Sequence, residues 1–222
     1  MPELRIDLVI TCTSVLSVGA GGSSGSLADK SIQRDGRGRP IIPGSQVKGK
    51  LRHAAESILR QLGKATPAHF DDESDTLIKA IFGSPKQRSG MRFVDLIGLP
   101  TGENPQHPQI TPEALSVIRP AVSINRNRGT AEDARLFFQE VALENLIFTA
   151  TPAIRGDVSD PRHPALLWAA LRLTTRWGGG TTRGMGWADV QPTIYLDGRE
   201  LDVATLQSDL RALIAGGGLH AA

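Results

Sequence analysis

The chain has 222 residues, enough for one large domain or two small ones with a buried core. Its 25 Lys and Arg against 23 Asp and Glu leave a net charge of +2, which excludes a histone-like polycation. One cysteine, Cys12, excludes a disulfide framework and a cysteine-held zinc site. No apolar run approaches the ~20 residues of a membrane span, and Glu3, Arg5 and Asp7 in the first segment argue against a signal peptide, so a cytoplasmic protein without a membrane partner is expected.

In chain order, Leu4, Ile6, Leu8 and Ile10 alternate with Arg5, Asp7 and Val9, the pattern of a half-buried strand. Residues 13–44 are rich in glycine and keep no period, which predicts a long loop. Within it, Gly19–Asp29 is a glycine and serine run that ends in an acid beside Lys30; Ser24 at the last glycine position breaks the G-x-G-x-x-G pattern. From Ser45 the period becomes helical, with Val47, Leu51, Ala54, Ala55, Ile58, Leu59 and Leu62 on one side and Gly63 as a stop. Met91–Leu99 reads as a second strand, entered from turns at Gly83-Ser84-Pro85 and Gly90, and Leu136–Thr151 as a third. Residues 164–177 read as a second helix with Pro164 in its first turn and Gly178 at its end. Ala188–Leu196 is the last strand, with Pro192 marking an edge or a bulge. The order β-α-β-β-α-β predicts an α+β chain with the ferredoxin-like, RNA-recognition type of fold. Residues 1–222 read as one domain, with insertions at about 13–44, 64–90 and 100–135.

The near-neutral total hides a regional asymmetry. Residues 30–64 carry nine basic groups against two acidic ones, Asp35 and Glu56, a local charge of +7. Arg172, Arg176 and Arg183 have no acid between them, and acid collects instead at Asp71, Asp72, Glu73 and Asp75. A solvated surface can carry such charge, but a +7 segment also has the form of an electrostatic footprint for a polyanion.

Two motifs sharpen that reading. Pro43–Arg52 contains Gly44-x4-Gly49-Lys50, but Leu51 stands where a phosphate-binding P-loop needs Ser or Thr, so a nucleoside triphosphatase is rejected. The same string predicts Ser45 as N-cap of the first helix, with free backbone N–H groups that attract anions and with Lys48 and Arg52 on one face. Gly178–Gly186 holds five glycines in nine residues, with Arg183 among them. A plain helix-to-strand connection needs one or two; five let a backbone approach a ligand closely. The five histidines, 53, 69, 107, 163 and 220, show no ligand spacing, which speaks against an unrelated small-molecule enzyme. Only 5% of residues are aromatic and the first strand has none, which favours reading of backbone and shape over base stacking.

The string Ile41–Arg52 closely resembles the first-helix signature of the RAMP superfamily of CRISPR-associated proteins, and Gly178–Gly186 resembles its C-terminal glycine loop. Ile81–Ser84 with Gly90–Asp95 resembles its second-strand entry. Val122–Arg126, Gly129–Ala131 and Leu136–Glu140 resemble the repeated backbone subunit of type III effector complexes. The resemblance implies a modified RNA-recognition fold whose copies stack along a CRISPR RNA together with other type III subunits. It implies a thumb-like hairpin in the 119–140 region and, in cleaving members, an acid in the loop before the first helix that is needed to cut guide-paired target RNA. That acid falls on Asp29, expected as catalytic residue and ligand of Mg2+ or another divalent metal, with Asp35 at a second matching position. RNA-binding residues expected on the same basis are Ser45, Lys48, Lys50, Arg52, Arg119, Arg126, Arg128, Gly180, Arg183 and Gly184. The resulting expectation is a metal-dependent endoribonuclease subunit; the alternative is a non-catalytic guide-binding scaffold, with Asp29 structural.

Overall fold

The computed structural model describes residues 1–20, 28–64, 66, 77–104, 109–160 and 162–215. Along the chain these form β1 (Glu3–Cys12), β2 (Ile41–Ile42), α1 (Gly44–Gln61), α2 (Leu77–Phe82), β3 (Met91–Phe93), β4 (Leu96–Leu99), β5 (Ser116–Asn125), β6 (Thr130–Ala142), β7 (Ile147–Asp157), α3 (His163–Leu173), β8 (Ala188–Leu196), β9 (Arg199–Glu200) and α4 (Val203–Ala215). The acidic cluster at 71–75, and His69, His107 and His220, lie outside the described residues.

Alternation builds the sheet. Leu4, Ile6, Leu8, Ile10 and Cys12 of β1 are fully buried on one face, each worth ~1.5–3 kcal/mol for an aliphatic side chain, so a one-residue slip that exposed them is excluded. β1 lies between β7 and β8, antiparallel to both, and the sheet runs β2-β4-β7-β1-β8-β9. Its four main strands, β4-β7-β1-β8, are joined as βαββαβ, the ferredoxin-like arrangement expected. α1 and α3 pack against each other on the buried face, with Val47, Leu51, Ala55 and Leu59 of α1 and Ala165, Leu166, Leu167, Ala170 and Leu171 of α3 in the core. β8 has no outer partner at Pro192, since β9 pairs only Tyr195 and Leu196, as an edge proline requires.

Besides the short β2, α2 and β9, which the sequence reading lacked, four segments differ from it. The segment 136–151 is not one strand. It divides at a turn where Asn145 has φ 64°, leaving β6 in a separate two-stranded hairpin with β5 and β7 in the main sheet. The segment 91–99 breaks at Val94–Asp95, although β3 and β4 both pair with β7. The second helix stops at Leu173, because the Thr174 hydroxyl donates to the Ala170 carbonyl at 2.8 Å and Arg176 already pairs with Trp187. The C-terminal α4, unseen in the sequence reading, packs on α3 through Leu206 and Leu213.

Candidate nucleic-acid interface

The chain leaving β1 is clamped on three sides. Leu16 and Ala142 exchange backbone hydrogen bonds at 3.0 and 2.7 Å, which fixes it to the root of the β5–β6 hairpin. Gly179 and Gly186 donate to Ser17 and Val15 at 2.7 and 2.9 Å, which fixes it to the glycine loop. Gln33 donates to Val18, and Ala20 to Ser31, which brings in the segment before α1. The buried Gln139 amide locks the centre by donating to Ser17 Oγ at 2.6 Å.

Asp29 sits in this cluster. Its loop lies along β6: Asp29 N–H donates to Phe138 O at 2.9 Å, and Glu140 N–H donates to Lys30 O at 2.8 Å. The Asp29 carboxylate accepts the Phe138 N–H at Oδ2, 2.8 Å, while the residue stays exposed. Lys30 Nζ and the Arg183 guanidinium lie 5.5 and 5.9 Å from the centre of the Phe137 ring. Loop acid, two cations and the hairpin root thus converge from segments far apart in sequence.

Glu140 holds the arrangement from below. It receives Arg34 at 2.5 Å, Ser116 Oγ at 2.8 Å and the Ile32 N–H at 3.1 Å. Burial disfavours its charged form, but these donors outweigh that and its pKa lies below the usual glutamate value. Asp35, the second loop acid, is structural: it accepts the Arg37 and Arg39 N–H groups and an ion pair from Arg39, closing the 35–39 turn. Burial opposes its ionisation too, and the Arg39 and backbone donors again pull the pKa below the ordinary range.

The α1 N-terminus corrects one expectation. Pro43, not Ser45, is the N-cap, and no side chain caps the helix from that position. Asp95, freed by the break between β3 and β4, accepts the Gly44 N–H at 2.8 Å, so a carboxylate of the chain already occupies the anion-favouring end. Gly44 is required there, since a Cβ would stand 2.3 Å from Phe93 O. Ser45 is exposed in the first turn. The expected basic face also divides. Lys48 lies over the Phe93 ring at 5.9 Å and Arg52 pairs with Glu56 at 2.9 Å, both on the flank toward Gly83. Lys50 shares the other flank with Gln46, whose side chain accepts the Gly178 N–H at 3.3 Å.

In the glycine loop, Gly178, Gly180, Gly184 and Gly186 all have positive φ. At Gly186 a Cβ would meet Trp177 O at 1.9 Å, and at Gly178 it would meet Ser17 O at 2.5 Å. The chain's own packing therefore demands these two glycines. Gly184 has open space around it and Arg183 is exposed, so that end of the loop faces outward.

Of the hairpin arginines, Arg126 and Arg128 lie away from the cluster and Arg119 borders it. They lie on the β5–β6 hairpin, Arg119 opposite Gln139 near its root and the other two in the exposed tip turn. Strands of about ten residues carry that tip ~30 Å outward. Val117, Ile118, Val122, Ile124, Leu136 and Phe138 leave the hairpin with exposed apolar surface.

Among the described residues, no three His, Cys, Asp or Glu side chains gather as a metal site. Asp29 belongs to no such group, so the described residues offer no site for a divalent ion held by protein alone. No described helix is long and apolar enough to cross a membrane.

The family whose model matches is the RAMP superfamily, over residues 9–189. No curated protein matches. Among solved structures, the chain is similar to a subunit of the type III-B Cmr-beta complex determined by cryo-EM bound to cognate target RNA. Identity is 15% with a TM-score of 0.58, over 86% of this chain and 97% of that one. Against Cmr-beta in the apo state, identity is 15% and the TM-score 0.56, over 85% and 96%. At that identity the likeness speaks for the fold.

Proposed function

The chain belongs to the RAMP superfamily, and on that premise we propose that it is a guide-RNA-binding subunit of a type III effector complex that cleaves the paired target RNA at Asp29. The observation that carries this reading is the convergence of an exposed Asp29, Lys30 and Arg183 at the root of a projecting hairpin. Guide RNA lies against α1 and the glycine loop, meeting Lys50, Arg183 and Gly184. Copies stack along it, and the hairpin acts as the thumb that separates one stretch of duplex from the next.

The reaction uses the target's own 2′-OH. Asp29 takes its proton, the oxygen attacks the adjacent phosphorus, and the 5′-oxygen leaves with a proton taken from water, giving a 2′,3′-cyclic phosphate and a 5′-hydroxyl end; Asp29 returns its own proton to solvent. Lys30 and Arg183 balance the negative charge that builds on the phosphoryl oxygens. A magnesium ion here would have Asp29 as its protein ligand and depend on RNA phosphates and water for the rest of its shell.

A second reading has its own support. The Asp29 carboxylate accepts the Phe138 amide, a structural duty sufficient to explain an acid at this position in a scaffold subunit. Asp29→Asn separates the two, because asparagine keeps an acceptor for that amide and removes the charge. In the assembled complex the nuclease reading predicts intact guide binding and a ~10²–10⁴-fold loss of target cleavage. Cleavage equal to wild type leaves the scaffold. A chelator arm measures the dependence on divalent ions, and a 2′-deoxy target blocks cutting if the 2′-OH is the nucleophile.

A further inference from the structure

Trp187 follows the glycine loop and precedes β8, and the residue is 40% exposed. The chain has two other tryptophans: Trp177 is fully buried and Trp168 packs against the core. Trp187 is held rigidly by its backbone, its N–H donating to Ser14 Oγ at 2.9 Å and its carbonyl accepting the Thr13 N–H at 2.8 Å. The Arg176 guanidinium lies 3.8 Å from the ring centre. Arg176 pairs with Trp187 across the neck of the loop whose other end carries Arg183. Among the described residues neither Arg176 nor Arg183 makes an ion pair. Asp189, two residues along, is the nearest acid in sequence on that strand.

A large exposed indole forgoes the stabilisation of burial. With its backbone tied to the β1 exit and Arg176, which makes no ion pair among the described residues, against its ring, it has the features of a platform for a flat, electron-rich group attached to a polyanion. We infer that Trp187, backed by Arg176, stacks one unpaired base of the RNA that the glycine loop holds. The inference rests on the RNA-binding reading above and adds a base contact to it. Such a contact tolerates any sequence, because every base has a π-face. It also revises the expectation from low aromatic content that RNA is met through backbone and shape alone.

The test uses the full chain with labelled single-stranded RNA and with an oligonucleotide of equal length whose riboses lack bases. Trp187→Ala is expected to weaken binding of ordinary RNA roughly 5- to 150-fold, Trp187→Phe less, and neither to change binding of the abasic strand. The salt dependence stays constant, since phosphate contacts are untouched. Ordinary RNA quenches the exposed tryptophan emission of the wild type, and Trp187→Phe, which keeps an aromatic ring for folding, removes the quenchable part. Equal losses for both strands, or unchanged RNA affinity with reduced self-association, overturn the inference; the latter assigns the indole to a protein partner. Wild-type protein that binds neither strand overturns the RNA-binding reading itself.

Discussion

Glu140 shows how one side chain sets the position of another. Its carboxylate gathers Arg34, Ser116 and the Ile32 amide, so the segment carrying Asp29 and Lys30 is docked on β6 from both ends. Its side chain is only 15% exposed, so removing it strands the Arg34 charge in a poorly solvated place. Glu140→Ala is expected to lower stability by ~2–3 kcal/mol at pH 7, read by urea denaturation. The folded pKa lies below the usual 4.5, so the contribution is fully present above that value and fades as pH falls through the folded pKa. The gap between wild type and variant should therefore narrow as pH falls below the ordinary carboxylate range; a gap as wide in acid as at pH 7 would contradict the assignment. Asp29 was singled out by the resemblance to the family, which expects an acid in the loop before the first helix. Glu140 entered the motif Leu136–Glu140, but nothing in its spacing says that its partners are Arg34 and Ser116, because the contact joins residues 106 apart.

At the scale of elements, period made α1 and β1 legible: an uninterrupted stripe needs no knowledge of its partner. The hairpin was harder. The apolar residues of 136–151 run through two strands in different sheets, and only the left-handed Asn145 between them marks the division. Val94–Asp95 hid the same way, since Asp95 leaves the strand to accept the Gly44 amide of a helix 51 residues earlier. The glycine loop was found by composition, yet its glycines divide by duty. Gly186→Ala meets both a φ of +79° and a Cβ contact of 1.9 Å with Trp177 O, so a loss of at least ~2 kcal/mol is expected. Gly184→Ala has the same φ and open space, so only ~1 kcal/mol is expected. Urea denaturation of the two variants checks the contrast, and equal losses would place the strain elsewhere in the loop.

For the whole molecule, the βαββαβ core folds around one hydrophobic cluster while the β5–β6 hairpin contributes little to it and keeps six large apolar side chains exposed. Under the proposed function, this surface is where the subunit meets RNA and neighbouring copies. The cluster at the hairpin root assembles residues from the β1 exit, the loop before α1, β6 and the glycine loop, which is why the site could be read as separate motifs but not as one place. Its central claim, that these parts hold a guide, is tested by isolating the protein with its native partners and sequencing whatever RNA comes with it. The account predicts short RNA of defined length and common sequence plan, bound in fixed proportion to the protein. Random fragments of cellular RNA, or none, would contradict it.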